Sequence, residues 1–189
     1  MTGHLVLVVG PSGAGKDSLI DAARKHFACD PMFFFPRRVI TRQVAHGAED
    51  HDSLSPDAFA RSLRHGAFYL HWQAHGLSYG LPAAAGDALR YGRIVVANVS
   101  RSIVGQAADA WPQTTVILVT ASPDVLAARV AARGRSEDGD IQKRVTRPVD
   151  PIPISLPCIT IKNEDALATA ASAFCSALTA IQIELISRQ

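Results

Sequence analysis

Gly10-Pro11-Ser12-Gly13-Ala14-Gly15-Lys16-Asp17-Ser18 decides the fold. An apolar run, Leu5-Val6-Leu7-Val8-Val9, precedes it, and Leu19-Ile20-Asp21-Ala22-Ala23-Arg24-Lys25 follows. The order is strand, glycine-rich turn, helix, and the spacing G-x-x-x-x-G-K is that of a phosphate-binding P-loop. Gly10, Gly13 and Gly15 open backbone conformations closed to other residues. Successive N–H groups then point inward at an anion, with the positive end of a helix behind them. Gly10, Pro11, Ser12, Gly13, Ala14 and Gly15 are therefore expected around the phosphates of a nucleotide, with Lys16 reaching the β- and γ-phosphates as a mobile point charge. One position departs from the pattern. Ser or Thr is expected after the lysine to hold magnesium, and here Asp17 stands there, followed by Ser18. A carboxylate beside a polyphosphate is favourable only with a cation between them, so Asp17 and Ser18 are read as ligands of Mg2+.

Composition bounds the rest. At 189 residues, 48% of them hydrophobic, the chain is expected to form one domain with a full core. A net charge of +2 and an aromatic content of 6% do not supply a basic, base-stacking surface, so no nucleic-acid partner is expected. The first strand is read within a few residues of Met1, so no signal peptide is expected. No apolar stretch is read as reaching the ~18 residues of a membrane span. The last helix, about 166–186, is broken up by Ser172, Ser176, Gln182 and Glu184. Cys29, Cys158 and Cys175 have no metal spacing and are odd in number, which fits reduced thiols in a cytoplasmic protein.

Beyond the first helix, Arg37-Arg38-Val39-Ile40-Thr41-Arg42 is too basic for a core strand. It reads as an anion site, arginine being the preferred partner of phosphate, with a solvated edge as the alternative. Ser55 and Pro56 open a short helix whose apolar face is Phe59 and Leu63. A strand is expected over 67–72, a turn over 76–80 and another helix over about 82–90. Ile94-Val95-Val96-Ala97-Asn98-Val99 is a strand covered on both faces. Asn98, Ser100 and Arg101 lie at its carboxyl end, where ligands sit in open α/β sheets, although Ser100 is equally readable as a helix cap. Residues 114–120 form the next strand, and Ser122-Pro123-Asp124 opens a helix that carries Arg129 and Arg133 on one face. Gly134 closes it. Arg129, Arg133, Arg135, Lys143, Arg144 and Arg147 fall within nineteen positions. Beside a P-loop they read as a closing lid, and otherwise as an exposed charged face. Four prolines between 148 and 157 make a stiff connector to the last strand, 158–162, and Asn163-Glu164-Asp165 leads into the final helix. The fold class expected is α/β, a P-loop NTPase with a mainly parallel sheet and helices on both faces.

Gly10 to Lys16, Thr41-Arg42, Tyr79-Gly80, Arg129-x-x-x-Arg133-Gly134 and Arg144 resemble, in order and over nearly the whole chain, the guanylate-kinase-like kinases. Within that superfamily the chain is more similar to the ribose 1,5-bisphosphate phosphokinases. That likeness rests on Gly15-Lys16-Asp17-Ser18, Arg38 to Arg42, Trp72-x-Ala74-His75-Gly76-Leu77-x-Tyr79-Gly80, and Asn98-Val99-Ser100-Arg101. The resemblance implies one domain over 1–189, with an acceptor-binding region at about 36–81 and a lid at about 134–147. It implies catalytic roles for Lys16, Arg133 and Arg144, and places Arg129 and Asn163 with the P-loop at ATP. Arg38, Arg42, Tyr79, Asn98, Ser100 and Arg101 fall to the acceptor. The implied reaction, with ATP and Mg2+, converts α-D-ribose 1,5-bisphosphate to 5-phospho-α-D-ribose 1-diphosphate in phosphonate utilisation. No nucleic acid or membrane is implied as a partner.

Departures from guanylate kinase point the same way. The guanine-holding glutamate of that family aligns with Leu70, and the Thr or Ser after its Tyr-Gly pair aligns with Leu81. Its two strand-end aspartates align with Asn98 and Ser100, and the tyrosine of its acceptor loop with His51. Its second acceptor arginine falls near Val44 and Ala45. Phosphate-handling parts persist while guanine-reading parts do not. An acceptor phosphate is already an anionic nucleophile, so His51, His71 and His75 are not assigned as bases. A guanylate or other nucleoside monophosphate kinase is one alternative. A catalytically inactive binding module is another, against which the retained Lys16, three glycines and lid arginines count.

Overall fold

The apolar runs become strands of one parallel sheet. The structure is a computed structural model and describes residues 2–41, 51–74, 76–133, 152, 153 and 155–188. In chain order the elements are β1 (His4–Val9), α1 (Lys16–His26), β2 (Phe33–Phe34), β3 (Arg38–Ile40), β4 (His51–Ser53), α2 (Pro56–Arg64), β5 (Phe68–Ala74), β6 (Leu77–Pro82), α3 (Ala83–Arg90), β7 (Ile94–Asn98), α4 (Val104–Ala110), β8 (Thr114–Thr120), α5 (Pro123–Arg133), β9 (Cys158–Lys162) and α6 (Leu167–Ser187). A turn of 3-10 helix at Arg101–Ile103 joins β7 to α4.

The first sheet runs β2-β7-β1-β8-β9, and every pairing in it is parallel. Leu5 to Val9 are all wholly buried, as both faces are covered. Val6, Val8, Val96, Ile117 and Val119 pack with Leu19 and Ala23 of α1 and Phe174, Leu178 and Ile181 of α6. Leu5, Leu7, Val9, Val95 and Ala97 pack on the other face with Ala85 and Leu89 of α3 and Val104 and Ala107 of α4. Parallel strands bring their carboxyl ends to one edge. Val8 stands opposite Asn98, Val9 opposite Leu118, and Thr120 opposite Lys162.

A second sheet, β4-β3-β6-β5, joins the face that carries α3 and α4. Its β3–β4 pair is parallel and its other pairs are antiparallel. Leu70, Trp72 and Leu81 lie in the same buried cluster as Leu5, Val9 and Val99, which ties this sheet to the first. Two expectations are corrected here. Residues 76–80 are not a turn: Ala74 pairs with Leu77, and Leu77 to Gly80 belong to β6. Gly80, read as a turn residue, sits instead under the ring of Phe68. Ser100 precedes the 3-10 turn but makes no side-chain cap, because its hydroxyl is engaged elsewhere.

Ser55 does cap α2, accepting from the Ala58 N–H at 3.2 Å. Of its expected apolar face, Phe59 is buried and Leu63 exposed. The expectation that no segment reaches membrane-span length is also corrected. α6 has 21 residues and a mean hydropathy of 1.4, enough by length and composition alone to cross a bilayer. In the fold it covers the first sheet through Ala170, Phe174, Leu178, Ile181 and Leu185.

Candidate active site

The loop after β1 has the backbone its glycines allow. Gly10 has φ 152°, and a Cβ there would collide with the Val119 carbonyl of β8. Gly15, the N-cap of α1, has φ 85°, and a Cβ would run into the Asn163 amide. Both positions combine a positive φ with a neighbour pressed against the chain, so only glycine fits. Lys16 Nζ donates to the Gly10 and Pro11 carbonyls at 2.8 and 2.9 Å. Its ammonium is thus held at the mouth of the loop, at the amino end of α1.

Asn163 follows β9 directly and is 2% exposed. Its Nδ2 donates to the Ala14 carbonyl at 2.8 Å, tying the P-loop to the far edge of the sheet. Arg129 Nη1 donates to the Asn163 backbone carbonyl at 2.7 Å and so braces that residue from α5. The Asn163 Oδ1 is buried and accepts no hydrogen bond among the described residues.

A second cluster forms around Asp17, in the first turn of α1. Its Oδ1 accepts from Asn98 Nδ2 at 2.6 Å and from Arg38 Nη2 at 3.2 Å. Three elements therefore meet at one carboxylate: α1, the end of β7, and β3 of the second sheet. Ser100 Oγ accepts from Trp72 Nε1 at 3.0 Å, and the Trp72 indole stacks on Tyr79 with centroids 5.4 Å apart. Arg101 opens the 3-10 turn beside them. Burial lowers the pKa of its guanidinium from the usual value, though an arginine stays charged all the same. Ser78 N–H donates to Thr41 Oγ1 at 2.8 Å, which fixes the end of β3 against β6.

Of the residues singled out from sequence, Gly10 to Ser18, Arg38, Asn98, Ser100 and Arg101 gather at the carboxyl edge of the first sheet, with Arg129 and Asn163 behind the P-loop. Arg42 and Arg144 lie outside the described residues, as do the segment 134–147 and His75; Arg133 ends α5, and its side chain is likewise outside them. Sequence reading missed Trp72 as a site residue. The signal was present, since Trp72 belongs to the same motif as Tyr79 and its partner Ser100 belongs to the strand-end motif. Among the described residues no cluster of three or more His, Cys, Asp or Glu side chains forms a metal cage.

No family model matches the chain. Individual proteins do. The chain is 53% identical over 161 residues to the ribose 1,5-bisphosphate phosphokinase PhnN of Rhodopseudomonas palustris, covering 85% of this chain and 80% of that one. It is 43% identical over 185 residues to the protein of the same name from Brucella melitensis, covering 98% and 96%. Among solved structures, the guanylate kinase of Anaplasma phagocytophilum superposes with a TM-score of 0.65, over 95% of this chain and 86% of that one. Sequence identity there is 16%, so the likeness is one of fold.

Proposed function

The chain belongs to the ribose 1,5-bisphosphate phosphokinase family, and on that premise we propose that it transfers the γ-phosphoryl group of ATP to the 1-phosphate of α-D-ribose 1,5-bisphosphate. The products are ADP and 5-phospho-α-D-ribose 1-diphosphate. An acceptor phosphate oxygen attacks the γ-phosphorus in line, one P–O bond forms, and the bond to the β-phosphate oxygen breaks. The acceptor phosphate is largely ionised at neutral pH, so no side chain has to take a proton. Catalysis is positioning and charge neutralisation. The P-loop N–H groups and Lys16 hold the β- and γ-phosphates. Arg133 and Arg144 meet the transferred group when the lid, about 134–147, closes. The Asn163 Oδ1 suits the exocyclic amino group of adenine, with Arg129 fixing the segment that presents it.

Asp17 and Ser18 are the residues that would hold Mg2+. A single carboxylate and a hydroxyl fit that ion, which binds through one or two protein oxygens with substrate phosphates and water. When bound it offsets charge on the phosphates. Arg38, Arg42, Tyr79, Asn98, Ser100 and Arg101 take the acceptor, within the region 36–81 and the strand end beside it. The three cysteines are free thiols, which agrees with a cytoplasmic enzyme of phosphonate utilisation acting on a small sugar phosphate.

The observation that carries this reading is the state of Leu70 and Leu81. They are 3% and 0% exposed and belong to an apolar cluster with Trp72. Ser100, at the position of one of the two strand-end aspartates of guanylate kinases, accepts from that tryptophan and has no carboxylate to offer a base. A purine edge placed there would leave polar groups unpaired at about 1–3 kcal/mol each. Arginine remains for phosphate at Arg38 and Arg101, while Leu70 and Leu81 offer a base no side-chain hydrogen bond. Phosphorus NMR of a reaction with ATP, Mg2+ and ribose 1,5-bisphosphate tests the assignment. Growth of a diphosphate signal with the ADP signal is the expected result, and an unchanged acceptor spectrum would reject it.

A further inference from the structure

We propose that Asp17 is a positioning residue for the acceptor: seated by Asn98, its carboxylate orients Arg38 toward the acceptor's phosphate. This rests on the reading above, in which Arg38 binds that phosphate. The arrangement is built from both sides. Asn98 is 7% exposed at the end of β7, and its amide must donate, because its partner at 2.6 Å is a carboxylate oxygen. An aspartate at 98 would place a second carboxylate at that distance, and two such groups do not both ionise. Asparagine there fixes Asp17 without competing for the arginine. Arg38 comes from the opposite side, on β3, and its side chain is only 17% exposed against 44% for Asp17. A guanidinium so withdrawn from water keeps a long, flexible stem unless one edge is held. Asp17 holds one edge at 3.2 Å. The guanidinium has five donors, so the remainder can grip a phosphate without giving up the carboxylate.

The same pair links the two substrate sites. Asp17 is the neighbour of Lys16, and Arg38 belongs to the second sheet. A displacement of the P-loop helix therefore moves the acceptor arginine through one side chain.

Two effects of opposite sign separate a positioning role from a mere nearby charge. A carboxylate repels an anionic acceptor, so its removal alone would tighten acceptor binding. If Asp17 aims Arg38, its removal weakens binding instead. The experiment is calorimetric titration of ribose 1,5-bisphosphate without nucleotide or metal, so that any role of Asp17 toward Mg2+ is silent. Four proteins are compared: wild type, Asp17→Asn, Arg38→Ala and the double variant. Asp17→Asn keeps shape and is checked for an unchanged melting temperature. The expected result is about tenfold or more weaker binding for Asp17→Asn. In the Arg38→Ala background the loss is expected to disappear, and relief of the repulsion leaves binding the same or tighter. Tighter binding in Asp17→Asn, or an equal loss in both backgrounds, would overturn the proposal. Failure of the wild type to bind the bisphosphate would instead reject the acceptor assignment. Asn98→Ala supplies a second variant. It removes the seat and leaves both charges; it is expected to weaken acceptor binding in the wild-type background and to add nothing in the Asp17→Asn background, where a direct contact of Asn98 with the acceptor would still be lost. Unchanged affinity there would show that Asn98 does not hold Asp17 for this purpose.

Discussion

Replacing Asn163 by leucine should leave the nucleotide-free protein almost as stable as wild type while cutting its affinity for ATP. Two terms act on stability. Losing the Nδ2 donor orphans the buried Ala14 carbonyl now bonded at 2.8 Å, at about 1–3 kcal/mol. Removing Oδ1 eliminates a buried acceptor that has no partner among the described residues, a relief of similar size. Leucine keeps the branching of asparagine at Cγ and is the larger side chain, so no cavity adds to the sum. The net is small, and the melting temperature should shift by no more than about 2–4 °C. Nucleotide binding has no such cancellation. One lost hydrogen bond of about 1–1.5 kcal/mol weakens binding roughly tenfold. At a nucleotide concentration of about 100 times the wild-type Kd, stabilisation by ligand is about 2.7 kcal/mol, and it falls to about 1.4 kcal/mol when Kd rises tenfold. Thermal melts with and without ATP, in saturating Mg2+, measure both quantities. An intact ATP-induced shift would refute a nucleotide role for Oδ1. A large fall in the nucleotide-free melting temperature would refute the cancellation.

Alanine at Arg133 and Arg144 should lower kcat by about 10³-fold while changing ATP affinity far less, as measured by single-turnover rates beside equilibrium titration; equal losses in both would remove the lid role. His4 is bonded to Thr115 at 2.9 Å, and its pKa is lowered by burial, with Glu184 opposing and Arg188 adding to the shift. The unfolded chain then binds its proton first, so stability should decline as pH falls below about 6.5 toward the folded pKa, and His4→Gln should flatten that slope in pH-dependent melts. Gly80→Ala puts a Cβ 2.5 Å from the Phe68 ring, which is itself stacked on Phe59 at 4.6 Å. Overpacking of about 1–3 kcal/mol should lower the melting temperature by several degrees, read by calorimetry.

The parts of the fold legible in the sequence are those whose chemistry is local. The run Leu5 to Val9 has no polar residue because both faces are covered, and the same holds for Ile94 to Ala97 and for Val116 to Val119. The P-loop is readable for the same reason, since its positive φ angles demand glycine at fixed spacing. The second sheet was not readable as a sheet. Its strand β4 is His51-Asp52-Ser53, with no apolar residue, and β3 carries arginine beside two β-branched residues. Such strands are held by pairing with distant partners, Val39 with Gly80 and Ile40 with Tyr79, and not by their own pattern. The turn expected over 76–80 failed because glycine at 80 serves the packing of Phe68 and not chain reversal. At the site, Asp17 stood out as an odd residue, but its partners did not. Asn98 is 81 positions away, Arg38 is 21 away, and only the fold brings them together.

The account's central claim is that the acceptor is a sugar bisphosphate and not a nucleotide, because Leu70 and Leu81, at the positions of guanine-holding side chains in guanylate kinases, are buried with Trp72 in an apolar cluster. Its most direct test is ADP release measured side by side with ribose 1,5-bisphosphate and with GMP, at saturating ATP and Mg2+. Losing two or three hydrogen bonds at about 1–3 kcal/mol each sets the bisphosphate ahead of GMP by several orders of magnitude in kcat/KM. Rapid turnover of GMP with none of the bisphosphate would contradict the account and return the chain to the guanylate kinases.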